Sequence, residues 1–125
     1  MGIVRKLFLY IQAGFYVAAG ANHFLNPDFY FGLIPPYLPW PVTINIVAGV
    51  VEIVFGFMLL VPSLRRLASY GIVAMLVAFI PSHIYFIEIG SCIEGGLCTT
   101  PLVAWVRLVV IHPILIWWAF VYRSE

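Results

Sequence analysis

The sequence predicts an all-α integral membrane protein, an up-down four-helix bundle with both termini cytoplasmic. Three observations predict it. Of 125 residues, 64% are hydrophobic and 9% charged, and the mean hydropathy is +1.09. A soluble domain carries about 25% charged residues to meet water. Four apolar runs approach the roughly 17–25 residues a helix needs to cross a bilayer. The basic residues at the ends of those runs, Arg5, Lys6, Arg65, Arg66 and Arg123, all fall on one side of the resulting meander.

The first run covers about residues 3–21. Arg5 and Lys6, a short apolar stretch and Ala19-Gly20-Ala21 also fit a signal peptide with its cleavage site. Removing the run would leave an odd number of spans and strip the second helix of its partner, so it is kept as a span. Gly14 and Ala18 stand at a small-xxx-small spacing that suits helix packing in lipid. The second run covers about 42–61, between Pro39 with Pro41 and Pro62 with Ser63. The third covers about 67–87. The fourth covers about 102–122 and follows Pro101, a residue suited to a first helical position because its missing N–H is not needed there. Barrel strands would need segments of about ten alternating residues, and none is present. No repeat, linker or low-complexity tract divides residues 1–125, which form one domain.

The positive-inside rule turns the basic ends toward the cytoplasm and loops 22–41 and 88–101, which lack Lys and Arg, outward. The expected location is a bacterial inner (plasma) membrane, with the lipid bilayer as the first partner. A formal net charge of +1 and no basic tract argue against nucleic acid. Trp40, Trp117, Trp118 and Tyr122 lie near span ends and serve as membrane-belt aromatics.

Cys92 and Cys98 share the second outward loop with Gly95 and Gly96 between them. An oxidising side of the membrane permits a disulfide there. A redox-active dithiol is the functional alternative, although C-x-x-C spacing is missing. Free thiols are the third possibility.

Ionisable residues inside spans cost about 2.5–3.5 kcal/mol each at the centre and mark sites by default. Glu52, His83, Arg107 and His112 are such residues. A rise of ~1.5 Å per residue puts Arg107 about 9 Å and His83 about 8 Å from the outer end, with Glu52 about 15 Å deep. Gly49, Glu52 and Gly56 share one helix face, so the acid points at a closely packed neighbour. Arg107, the cation within a span, is the expected ion-pair partner of Glu52. His23 sits at the outer end of the first run beside Asn22, on the Tyr16 and Gly20 face. Pro81 and Pro113, next to His83 and His112, each remove a helix hydrogen bond and free a carbonyl. His23, Glu52, His83 and Arg107 are thus expected to line one outward pocket. Against this stand an interfacial role for His23, a packing hydrogen bond for His112, and an ion pair that only holds helices in register. No metal site is expected, because nothing fixes the spacing of ligands on separate helices, and the absence of C-x-x-C-H excludes a c-type haem.

The run AGANHFLNPDFYFGLIPPYLPWP, then GVVEIVFGFMLLVPSLRRLASYGIVAMLVAFIPSHIYF, then a last helix with an arginine near its start, resembles the DoxX family over nearly the whole chain. The resemblance rests on Asn22-His23-Phe24 with Asn26-Pro27, Pro35-Pro36, Glu52 with Gly56, Pro62 before Arg65-Arg66, and Arg107. It implies a small four-helix inner-membrane protein that is an accessory or quinone-linked subunit of a membrane redox system, with quinone as cofactor. The implied alternative is a non-enzymatic membrane chaperone or assembly factor with a client protein. A third reading, a carrier of a small hydrophobic or anionic solute, would call for a homo-oligomer at this length. No nucleophile elbow, phosphate loop or paired-carboxylate arrangement names a reaction.

Overall fold

Lipid leaves backbone N–H and C=O groups few ways to be satisfied other than within helices. The computed structural model describes residues 1–124, and they form helices joined by short turns. The helices are α1 (Ile3–Leu25), α2 (Pro27–Phe31), α3 (Pro41–Leu59), α4 (Arg65–Ala78), α5 (Ile80–Glu88), α6 (Pro101–Val106) and α7 (His112–Phe120). A π-helical segment, Arg107–Ile111, joins α6 to α7. No strand forms among the described residues; a single antiparallel bridge joins Cys92 to Cys98.

Three helical stretches are long and apolar enough to cross a membrane: Pro41–Leu59, Arg65–Glu88 and Pro101–Phe120. They correspond to the second, third and fourth expected spans. α1 has 23 residues but is more polar, because Gln12, Asn22 and His23 interrupt its apolar run. It also runs to Leu25, past the expected end near residue 21, since Asn26 N–H still reaches the Asn22 carbonyl at 2.9 Å. Pro27 then ends α1 and opens α2 at its first position.

The two intramembrane prolines act differently. Pro81 follows a break at Phe79, where α4 gives way to α5. Pro113 follows the π segment, in which His112 N–H bonds the Arg107 carbonyl, five residues back. That wider turn relieves the clash between a proline ring and the carbonyl four residues before it.

α1 packs most extensively along α3, which contacts α4; α4 contacts α7, and α5 contacts α6. Glycines set the α1–α3 separation. A Cβ on Gly20 would lie 2.6 Å from the Gly49 carbonyl, and one on Gly56 would lie 3.0 Å from the Ala13 carbonyl. The expected packing role of Gly49 and Gly56 is thus seen. That of Gly14 and Ala18 is not: both are exposed, and a Cβ on Gly14 would meet nothing within 4 Å. The seam lies on the neighbouring stripe of α1 that carries Ala13, Val17 and Gly20.

The core joins Leu9, Ala13 and Tyr16 of α1 to Leu59, Ala68, Ile72, Met75, Leu76, Ala119 and Tyr122. At one end, Arg5 donates to the Val121 carbonyl at 2.5 Å and Tyr122 Oη donates to the Arg5 carbonyl at 2.9 Å. At the other end, Cys92 and Cys98 form a disulfide. Gly95 allows the intervening turn with φ +75°, a backbone conformation L side chains rarely adopt. Ile93, inside that loop, packs against Gly32, where a Cβ would stand 2.7 Å from Ile93 Cγ2.

Candidate functional site

The close α1–α3 seam carries buried polar groups on both of its walls. On α3, Asn45, Gly49, Glu52 and Gly56 fall on one face and are all buried. On α1, His23 is buried at the matching level. Asn45 Nδ2 donates to the His23 carbonyl at 2.9 Å, which leaves its Oδ1 facing His23 Nδ1 at 2.7 Å. Oδ1 can only accept, so Nδ1 carries a hydrogen. Nε2 then faces Glu52 Oε2 at 3.5 Å. Two lone pairs would repel there, so the pair holds one proton between its rims, as imidazolium with carboxylate or as imidazole with carboxylic acid.

Tyr30 of α2 stacks on the His23 ring at 3.8 Å between centroids, tilted by 20°. Asn22 fixes that tyrosine by donating to its hydroxyl at 2.7 Å, while accepting from Asn26 at 2.6 Å. Asn22 therefore orients the site from behind.

His23, Glu52, His83 and Arg107 all line one cavity of about 210 Å³. Its remaining wall is largely apolar, with Leu33, Ile34, Pro35 and Leu38 from the loop after α2 and Phe79 and Phe86 from the break and α5. Ser82 ties the loop to α5 by donating to the Leu33 carbonyl. The grouping of four ionisable residues around one space matches the sequence expectation, but the pairing inside it differs. Among the described residues, the ion pair of Glu52 is with His23, not Arg107. Asn45 and Tyr30 hold the imidazole over the carboxylate from the same seam. Arg107 reaches the cavity from another wall, with its guanidinium carbon 5.5 Å from the Phe86 ring centre. Its Nη1 is buried with no hydrogen-bond partner.

His112 is the other departure. It does not line the cavity; its Nε2–H donates to the Leu76 carbonyl at 2.5 Å, in the last turn of α4 before the break. Its ring meets that of His83 edge-on at 4.7 Å. His112 thus satisfies backbone beside the Pro81 interruption and props the cavity histidine. No cluster of three or more His, Cys, Asp or Glu able to hold a metal occurs among the described residues.

Asn45, Tyr30 and Ser82 are site residues that the sequence reading passed over. Asn45 was detectable, since it continues the Gly49, Glu52 and Gly56 face by one more turn. Tyr30 and Ser82 carry no such signal, because their roles depend on how the loop folds back.

The fold and site together define a class: an all-helical chain with membrane-length helices around a largely apolar cavity that carries a few ionisable residues on its wall. Residues 12–123 match the family described as a domain of unknown function, DUF8561, and the chain belongs to that family. This overturns the resemblance to DoxX. The features that carried it have local roles here: Pro27 ends α1 and opens α2, Glu52 pairs with His23, and Arg65 bonds the Leu59 carbonyl where α3 ends. No curated protein and no solved structure matches the chain.

Proposed function

We propose that the chain is a four-span plasma-membrane protein of the bacterial inner membrane that binds a small amphipathic molecule in its outward cavity and exchanges a proton with the head group. A fourth span is supported by α1 itself. Its 23 residues extend roughly 35 Å, its polar Gln12 and His23 point inward, and Ile3, Val4, Leu7, Phe8, Ile11 and Phe15 are exposed as lipid-facing residues would be. With α1 spanning, Arg5, Lys6, Arg65, Arg66 and Arg123 share the cytoplasmic end and the cavity faces outward.

The observation that carries the ligand reading is Arg107 Nη1, a buried charged donor without a partner at a cavity that also holds the shared His23–Glu52 proton. A buried cationic donor calls for an acceptor. The apolar wall calls for a hydrocarbon ring or tail. A quinone meets both demands: one carbonyl oxygen accepts from Arg107, and reduction to quinol draws on a proton the pair can give. The chain supplies no electron carrier of its own, so a membrane redox partner would have to deliver the electrons.

Calorimetric titration of a short-tailed benzoquinone into the protein in lipid nanodiscs tests this. Arg107→Ala should weaken binding by about tenfold or more, the equivalent of losing one charged hydrogen bond of about 1.5–3 kcal/mol. Equal affinity of the wild type and Arg107→Ala, with helix content retained, sinks the reading. The cluster would then serve stability alone, as in an assembly factor.

A further inference from the structure

Below the cavity the bundle contains polar groups that neither the fold nor the ligand site uses. Gln12 and Ser69 are fully buried and Tyr16 is 2% exposed. Both side-chain ends of Gln12, the Tyr16 hydroxyl and Ser69 Oγ have no protein hydrogen-bond partner. A dry core would not keep such groups, since each costs about 1–3 kcal/mol when left unsatisfied.

Their positions form a file. On α1, Gln12, Tyr16, Gly20 and His23 recur on one buried face. Gly20 abuts Gly49 and Ile53, which bracket Glu52, while Ala13 and Val17 abut Gly56. α1 and α3 therefore run antiparallel in register, and Tyr16 lies about 6 Å and Gln12 about 12 Å below Gly20 along the helix axis. On the facing α4, Gly71 meets the Phe55 ring, which puts Ser69 near the level of Gln12. Ala68 and Ile72, on either side of Ser69, share one core cluster with Tyr16. Beyond that level Arg65 Nε donates to the Leu59 carbonyl at 2.7 Å, where α3 ends.

We propose that Gln12, Tyr16 and Ser69 hold a file of bound water that relays protons between the His23–Glu52 pair and the end of the bundle carrying Arg65. Buried waters typically make about three hydrogen bonds to polar groups that lack other partners, and this stripe offers such groups at successive turns. A proton entering from water near Arg65 displaces one from each O–H in turn. The last passes to the His23–Glu52 pair, which releases its own proton into the cavity. Nothing is oxidised or reduced, and one proton crosses. This rests on the outward-cavity reading and deepens it, because the shared proton gains a second route of supply.

Proteoliposomes loaded with a pH-sensitive dye and given an external acid pulse test the relay without any ligand. Wild-type protein should equilibrate the lumen faster than protein-free vesicles. Tyr16→Phe, which deletes one oxygen, and Ser69→Ala should each slow equilibration toward the protein-free rate. Quinone titration of the same samples separates the two proposals, since intact quinone affinity with lost proton flux in the variants is the expected pattern. Wild-type vesicles no faster than protein-free ones overturn the relay, as does full wild-type flux in both variants, whatever quinone binding shows.

Discussion

His23 and Glu52 meet across the α1–α3 seam with Nε2 and Oε2 3.5 Å apart, and the imidazole is held there by Asn45 on one edge and by the Tyr30 ring on its face. Because Nδ1 already donates to Asn45, only one proton can make this contact favourable. The amide of Glu52→Gln can donate to Nε2, so this substitution should cost little stability. Glu52→Ala should cost about 1–3 kcal/mol by leaving Nε2 without a partner. Thermal unfolding in detergent measures both. Equal stability of the two variants would show that the contact carries no proton of consequence.

The glycine seam gives a second expectation. Gly49→Val must displace the Phe24 ring, His23 and the Gly20 backbone, so it should destabilise the protein by about 1–3 kcal/mol or prevent folding. Gly14→Ala, by contrast, fills open space on an exposed helix face and should stabilise by up to about 1 kcal/mol. Folded yield and midpoint temperature of the pair distinguish a tight α1–α3 interface from a loose one.

His83 and His112 should separate cleanly despite their contact. His112→Ala removes the side-chain donor to the Leu76 carbonyl, leaving it only the Phe79 N–H at 3.2 Å, and should lower stability by about 1 kcal/mol. His83→Ala enlarges the cavity and should change ligand affinity more than stability. A matched pair of melting and binding curves checks this, and an affinity loss confined to His112→Ala would reverse the assignment.

The Cys92–Cys98 bridge should contribute about 2 kcal/mol by the chain-entropy estimate for a loop this short. Cys92→Ser should show that loss together with faster hydrogen exchange in residues 32–38, since Ile93 packs on Gly32. A thiol reagent should label no cysteine in the unreduced, unfolded protein. Unchanged exchange in that loop would mean that the disulfide braces only its own turn.

Much of the architecture was legible because bilayer thickness and proline positions constrain it. The second to fourth spans end close to the expected residues, and Glu52 points inward as its flanking glycines require. α1 was harder to read, because an inward polar stripe lowers its hydropathy below that of the three membrane-length helices. The residues around the cavity could be found one helix at a time from intramembrane charge. Their pairing could not, since it depends on helix rotation about the seam: a geometry that favours His23 over Arg107 for Glu52 leaves no trace in either helix alone.

The π segment has a consequence for where Arg107 points. Its i→i+5 bond from His112 to Arg107 means that this turn holds one residue more than an α-helical turn would. Deleting one residue such as Val109 would let a regular helix form, but everything upstream would rotate by about 100° relative to α7. With His112 kept against the Leu76 carbonyl, the guanidinium would swing away from the cavity. One surplus residue, out of phase with the rest of the helix, therefore sets the aim of the cation.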